Sequence, residues 1–314
     1  MISKLTARMG RVVRSAVREV RKFAYARPAL PAQNEPFHRP RLGLALGGGF
    51  ARGLSHIGVL KVLVENGVDI DAVAGTSIGS IVAAGFASGC TIQKMATAAA
   101  KIRWSSYARW TLPRLGFATN ERLESLLYKI LPCRTFEQLN VPLTIVAADV
   151  TTGEEVIFRE GELMMPLRAS CSFPGLFVPI EYRGRLLVDG AVVNGVPVSA
   201  LPPVDVVVAV HIRATSTGRR PSSLFEVVGE SFRITQNLNQ TSWRDLCDLA
   251  IEPELAGFRW DDFARTEEMI AAGEIAAQRA LPALRQLLLE RAVRATPSRG
   301  LKTPGPRVES RVFT

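Results

Sequence analysis

Gly75-Thr76-Ser77-Ile78-Gly79 sets a serine two residues from a glycine on either side, directly after the apolar run Ile70 to Ala74. A hydroxyl can act as a nucleophile when the backbone thrusts it out of a sharp strand-to-helix turn, and such a turn leaves no room for a Cβ at the flanking positions. Ser77 is therefore the candidate nucleophile, with Gly75 and Gly79 forming the elbow. The helix expected over Ser77 to Ala87 would add N-terminal amides and a dipole that favour negative charge beside the serine. Alone, the pattern also fits a glycine-rich turn with a helix-capping serine, so the neighbouring stretches decide.

Gly47-Gly48-Gly49-Phe50-Ala51-Arg52-Gly53 follows the apolar run Leu42 to Leu46 and precedes Leu54, Ile57, Leu60, Leu63 and Val64 at helical spacing. Strand, glycine turn and helix present consecutive backbone N–H groups to an anion. A phosphate-binding P-loop would end in Gly-Lys-Ser/Thr, which is not here. A dinucleotide fingerprint counted from Gly47 needs glycine where Arg52 stands, and counted from Gly48 it needs glycine where Phe50 stands. An oxyanion hole requires only donors beside a nucleophile. Asp189, after Leu187-Val188 and before Gly190, places a carboxylate at a strand end whose backbone is closely approached.

Taken in order, the glycine loop, the Ser77 motif and Asp189-Gly190-Ala191 resemble the motifs of the patatin-like phospholipase family. The similarity runs from about Leu42 to Pro197, and Asp248 to Ala277 is similar to the C-terminal part of the family's bacterial members. The resemblance implies a serine lipid acyl hydrolase of phospholipase A or lysophospholipase type that uses no cofactor and no metal. Ser77 would be the nucleophile and Asp189 its base, without a catalytic histidine. The Gly48 and Gly49 amides would be the oxyanion donors, with Arg52 closing the turn.

The histidines test the dyad independently, since a triad needs one and the chain has 3. His38 lies in a proline-rich stretch. His56 falls in the first turns of the helix after the glycine loop, where bonding a backbone carbonyl is the favoured role. His211, at the end of the apolar run Val204 to Val210, stands where α/β sites collect and follows Asp189 in the order of α/β-hydrolases; it keeps a triad open as the minor alternative. Asp149, ending the strand pattern Pro142 to Ala148 before Thr151-Thr152-Gly153, reads as a turn cap rather than a second acid. For Asp189 to act as a base, an ordinary carboxylate pKa of about 3.9 must be raised by burial, or proton transfer must accompany attack.

These residues need a scaffold. With 314 residues, 47% of them hydrophobic, the chain fits one large α/β domain with appendages. Strands alternating with helices predict a mainly parallel sheet covered by helices on both sides. The expected elements include a strand over Val204 to His211, a helix over Leu224 to Leu246, a short strand over Cys247 to Ile251 and a helix over Trp260 to Ala295 interrupted at Pro282. The catalytic domain spans 42–295. Before it lie a basic arm, 1–27, and a proline-rich linker, 28–41; after it comes a basic tail, 296–314, whose composition argues disorder. Cys90, Cys133, Cys171 and Cys247 are scattered and read as buried thiols of a reducing compartment.

The net charge of +10 is concentrated at the two ends, which argues against nucleic acid as partner. In the arm, Ile2, Leu5, Met9, Val12, Val13, Ala16, Val20 and Phe23 share one helical face, opposite Lys4, Arg8, Arg11, Arg18 and Lys22. This reads as a surface-lying membrane helix drawn to anionic lipid, with an arm packed on the domain or an organellar targeting peptide as alternatives. No compact apolar leader and no run of 18 apolar residues appears, so a cytoplasmic, peripherally membrane-associated protein is expected. Trp104 to Phe117, rich in aromatic and cationic residues, suits either a lipid-facing lip or a loop packed on the core. Arg168 to Pro179 is expected to line an acyl pocket, and Arg213 to Ser223 to form a polar loop. A water-soluble carboxylesterase of the same mechanism would leave the arm irrelevant to turnover. A lipid-binding or scaffold protein would carry the site unused, against which stands the presence of every chemical residue.

Overall fold

The computed structural model describes residues 39–103, 108–110, 115–213, 220–222, 224–238 and 243–295. The arm, nearly all of the linker with His38, and the tail lie outside the described residues, as do Trp104, Tyr107, Leu112 and most of the polar loop after His211.

The described residues open with β1 (Leu42–Leu46), a 3-10 turn (Phe50–Leu54) and α1 (Ser55–Glu65), followed by β2 (Ala72–Thr76), α2 (Ile78–Ala87) and α3 (Ile92–Ala100). Next come β3 (Arg109–Trp110), β4 (Gly116–Thr119), α4 (Glu121–Ile130), β5 (Leu143–Asp149), β6 (Glu155–Phe158) and α5 (Met164–Ser170). The remainder is β7 (Gly175–Phe177), β8 (Ile180–Tyr182), β9 (Arg185–Asp189), β10 (Val206–Val210), α6 (Leu224–Leu238), β11 (Leu249–Ile251) and α7 (Thr266–Ala295).

The main sheet runs β11-β10-β1-β2-β5-β9-β8, with β6 also paired to β5. From β11 to β5 every pairing is parallel, whereas β6, β8 and β9 are antiparallel additions. The result is the mixed, mostly parallel sheet flanked by helices that the alternation of elements implied. The pleat sends Leu42, Leu44 and Leu46 to one face, where they join Val206, Val208 and Val210 in the large core beneath α1, α2 and α7. Ala45 and Ala209 face the other way, onto Val196, Val198 and Trp243.

The registers along β5 dictate the site. Ile145 and Val146 pair with both β2 and β6, so those strands flank β5 on opposite sides. Ala147 and Ala148 pair with both β6 and β9, which puts β9 on the β2 side. β2 ends with Thr76 opposite Val146, and β9, running the other way, ends with Asp189 opposite Ala147. The C-terminal ends of two strands therefore meet head to head along one edge of β5.

α7 differs from expectation. It runs unbroken through Pro282, because that residue and Gln278, whose carbonyl loses its partner, lie on the solvent face while Leu281 and Leu284 stay buried against the core. α6 is described over Leu224–Leu238; of the helix expected to reach Leu246, residues 239–242 lie outside the described residues. α1 and α7 cross closely at Gly58 and Gly273: a Cβ on Gly58 would overlap the Ile270 carbonyl oxygen, and one on Gly273 would overlap that of Ser55.

Candidate active site

Ser77 occupies the gap between the two strand ends with backbone angles of φ 56° and ψ −130°, a conformation costly for a residue with a side chain. Neighbouring atoms explain the glycines. A Cβ on Gly75 would collide with the Ser80 backbone, and one on Gly79 with the Leu46 and Gly47 carbonyls at the end of β1. Hydrogen bonds hold the strained turn. The Ser77 N–H donates to Ser170 Oγ (2.9 Å), the Ser170 hydroxyl donates to the Val146 carbonyl (2.7 Å), and the Ser80 hydroxyl donates to the Ser77 carbonyl (2.6 Å).

Across the gap, Ser77 Oγ donates to Asp189 Oδ2 at 2.7 Å, although the two are 112 positions apart in sequence. Asp189 Oδ1 accepts from the Ala191 N–H (2.9 Å), and the Asp189 N–H donates to the Ser172 carbonyl. Ser77 is 7% and Asp189 1% exposed. Burial pushes the Asp189 carboxyl up from 3.8 to about 7, against the opposing pull of the hydrogen bonds from Ser77 and Ala191. A carboxylate of that basicity, already bonded to the hydroxyl, is placed to take its proton.

The glycine loop lies directly over the serine, with a Cβ position on Gly48 only 3.5 Å from Ser77 Cβ. Here the geometry departs from the expected pair of donors. The Gly48 N–H donates to the Gly195 carbonyl at 3.0 Å, and that of Gly47 to Val210. Gly48 is thereby spent on closing the loop, and the Gly49 and Phe50 amides are the ones left without a partner among the described residues. Gly49 rests on Ile212, whose Cγ2 would be 2.7 Å from any added Cβ, and Phe50 has φ 51°. Arg52 closes the turn through its carbonyl, which accepts the Ser55 hydroxyl (2.8 Å). Its guanidinium is largely buried with Nε unpartnered, and burial lowers its pKa while the charge of Glu230 raises it.

The described histidines stand apart from this pair. His56 is fully buried, and its Nε2–H donates to the Gly47 carbonyl (2.8 Å), fixing the root of the glycine loop; burial holds its pKa down at about 4. His211 directly follows β10, two strands from β2 on the side away from Asp189. Its Nδ1 bonds Glu252 (2.8 Å), which also pairs with Arg244, and its ring packs on Trp243. Asp149 caps its turn by accepting the Thr151 N–H. Among the described residues no group of three or more His, Cys, Asp and Glu is placed to hold a metal ion.

Sequence reasoning did not reach Ser170, Ser172 or Asn120. Asn120 Nδ2 donates to Ser172 Oγ (3.0 Å) and to the Arg168 carbonyl, and Arg168 in turn pairs with Glu124, so α4 and α5 together brace the backbone that receives Asp189. Ser170 acts on Ser77 from 93 positions away, and no local pattern marks such a bond. The stretch expected to line an acyl pocket begins in α5 and continues through Phe173 into β7. Phe173 packs edge-on against Phe50 (4.9 Å between centroids) and Phe232 (5.1 Å), so an aromatic wall starts at the glycine loop. Of the aromatic stretch Trp104 to Phe117, Trp110 and Leu115 are exposed and Phe117 is half-buried.

A family described as patatin-like phospholipase matches residues 44–202, half of the chain, and the match takes in the glycine loop, Ser77 and Asp189. The chain belongs to the patatin-like phospholipase family. Its relatives include an uncharacterised NTE family protein of Mycobacterium tuberculosis, 36% identical over 184 residues, covering 57% of this chain and 51% of that one. Lysophospholipase NTE1 of Cryptococcus neoformans is 30% identical over 190 residues, covering 56% of this chain and 12% of that one. The chain thus spans about half the length of the first of these relatives. Among solved structures, VipD from Legionella pneumophila is similar at 14% identity with a TM-score of 0.44, over 81% of this chain and 67% of that one.

Proposed function

We propose that this patatin-like protein is a serine lipid acyl hydrolase working through a Ser77–Asp189 dyad on phospholipid or lysophospholipid. The observation that carries the reading is the direct 2.7 Å bond from a strained, buried serine to a carboxyl whose pKa burial raises to about 7. In the forward half-reaction Ser77 Oγ attacks the ester carbonyl carbon as its proton passes to Asp189 Oδ2. The charge on the carbonyl oxygen is met by the Gly49 and Phe50 amides. Collapse expels the lysolipid alkoxide, or the glycerophosphodiester alkoxide when the substrate is a lysophospholipid, which takes the proton back from Asp189 and leaves an acyl-serine. Water then attacks that ester, Asp189 accepts its proton, and Ser77 is regenerated with release of the fatty acid. Each oxyanion donor is worth about 3–4 kcal/mol in such enzymes. Gly48 serves by closing the loop through its N–H bond to the Gly195 carbonyl.

Lipid is the favoured substrate because the aromatic wall Phe50–Phe173–Phe232 offers an acyl chain an apolar path beside the dyad, and because the NTE1 relative is named a lysophospholipase. No helix among the described residues is long and apolar enough to cross a membrane. Peripheral contact with anionic membrane through residues 1–27 belongs to the same reading. Incubation with phosphatidylcholine, lysophosphatidylcholine and a soluble short-chain ester, followed by product analysis, tests it. Release of fatty acid from either lipid is expected, and cleavage of the soluble ester alone would replace the lipid hydrolase by a water-soluble carboxylesterase.

A further inference from the structure

Both members of the dyad are tied through their backbones to one short stretch, the last residue of α5 and the two that follow it. Ser170 Oγ accepts the Ser77 N–H (2.9 Å) and donates its own proton to the Val146 carbonyl (2.7 Å). Two residues on, the Ser172 carbonyl accepts the Asp189 N–H (2.9 Å). The gap that the Ser77–Asp189 bond closes is thus spanned a second time, behind the side chains, by residues 170–172. The Val146 carbonyl also lies against Gly190, where an added Cβ would overlap its oxygen. The residue after the acid is therefore seated on the same group that orients the Ser170 hydroxyl.

On the acid side the stretch is itself anchored. Asn120 Nδ2 donates to Ser172 Oγ (3.0 Å) and to the Arg168 carbonyl (2.8 Å), which also accepts the Ser172 hydroxyl (2.9 Å). Asn120 Oδ1 accepts Arg168 Nε (3.2 Å), so the whole amide is engaged on the end of α5. Ser170 and Ser172 are 0% and Asn120 1% exposed, and a donor that loses its partner here finds no water to replace it. Ser77 depends on its bond most, because its backbone sits at φ 56° and ψ −130° and is free to relax once nothing holds its amide. A dyad also has no imidazole to bridge a longer gap: the carboxylate must stand within about 2.6–3.2 Å of the hydroxyl whose proton it takes.

We infer that the stretch Ser170 to Ser172 is a positioning clamp for the reaction: Ser170 holds the nucleophile by its amide, Asn120 holds the acid through Ser172, and together they set the distance over which the proton is handed across. The inference rests on the Ser77–Asp189 reading and adds to it two positioning residues, Ser170 and Asn120, that carry no step of the chemistry themselves. Ser170 acts on the angle of the serine, and Asn120 on the seat of the carboxyl, so the two are separable by experiment.

The test follows the intact mass of the full chain against time in a fluorophosphonate, together with kcat and KM for a soluble short-chain ester. In Ser170→Ala every molecule should still be labelled in the end, but the rate of labelling should fall roughly ten- to hundredfold, the effect of misplacing a reacting group by about an ångström. The value of kcat should fall by the same factor with KM unchanged. The midpoint of its pH profile should stay where it is, since the Asp189 carboxyl keeps its bond from Ala191. Asn120→Ala should lower kcat and also bring that midpoint down, because a carboxyl loosened from its buried seat regains water. Damage to the fold alone would read differently: the labelled fraction would fall while the remaining molecules reacted at the parental rate. That pattern in both variants, or parental kinetics in either variant when folded, would overturn the inference and leave the dyad standing. An unaltered chain that takes up no probe and cleaves no ester would instead sink the dyad reading, and the clamp with it.

Discussion

Replacing Asp189 with asparagine should abolish most turnover and at the same time stabilise the protein at neutral pH. The carboxyl is 1% exposed and its pKa is moved from 3.8 to about 7, chiefly by burial. At about 1.4 kcal/mol per unit, holding that group in the fold costs about 4 kcal/mol once it is ionised. The sign follows from proton counts. Between 3.8 and about 7 the folded chain keeps a proton that the unfolded chain has released, so wild-type stability falls as pH rises through that window and is level above it. Asparagine does not titrate, and it can still accept the Ala191 N–H through its oxygen and meet Ser77 Oγ with its amide nitrogen. Asp189→Asn should therefore match the wild type below the window and exceed it above, by up to about 4 kcal/mol. Urea unfolding of both proteins from pH 4 to 8, about the range that matters, reads this difference. Turnover of a soluble ester should fall by about 10²–10⁴, the usual contribution of a general base. A stability gap that does not widen with pH, or a variant that turns over like the wild type, would refute the reasoning.

The same carboxyl should give kcat/KM a rising limb centred near pH 7, because Asp189 must be ionised to accept the Ser77 proton; a rate independent of pH from 5 to 9, about two units either side, would contradict that assignment. His211→Ala should keep turnover within a few fold, since the ring binds Glu252 and not the dyad, and His56→Gln should do so because an amide can donate to the Gly47 carbonyl in place of the ring. A loss at His211 as deep as at Ser77 in a folded protein would restore the triad. Gly273→Ala should destabilise by about 2 kcal/mol, because the overlap with the Ser55 carbonyl outweighs the gain of about 1 kcal/mol from helix propensity. A rise in Tm would show that α1 and α7 separate at no cost.

The parts of the site that are local in sequence were legible there. Strand, turn and helix could be read at Leu42 to Val64 and around Ser77, because apolar spacing and glycine placement report backbone geometry within a few residues. Asp189 was recognisable from its apolar approach and the glycine after it. What brings Asp189 to Ser77 is not local: β9 enters antiparallel and stops head to head with β2, a choice made by pairing with β5 some forty residues earlier. Ser170 was hidden for the same reason. Gly48 shows a different limit, since which amide of a glycine run stays free depends on Gly195, far along the chain, and not on the run itself. Pro282 was read as a break because propensity speaks for an isolated helix, whereas here Leu281 and Leu284 anchor α7 on both sides of it.

The most direct measurement is the mass of the intact protein after reaction with a fluorophosphonate, with the adduct mapped by peptide sequencing in the wild type and in Ser77→Ala. The account predicts a single adduct on Ser77 in the wild type, none in the variant, and loss of ester hydrolysis in a variant that melts as the wild type does. An adduct on another residue, or a Ser77→Ala protein that still cleaves the ester at the wild-type rate, would contradict it.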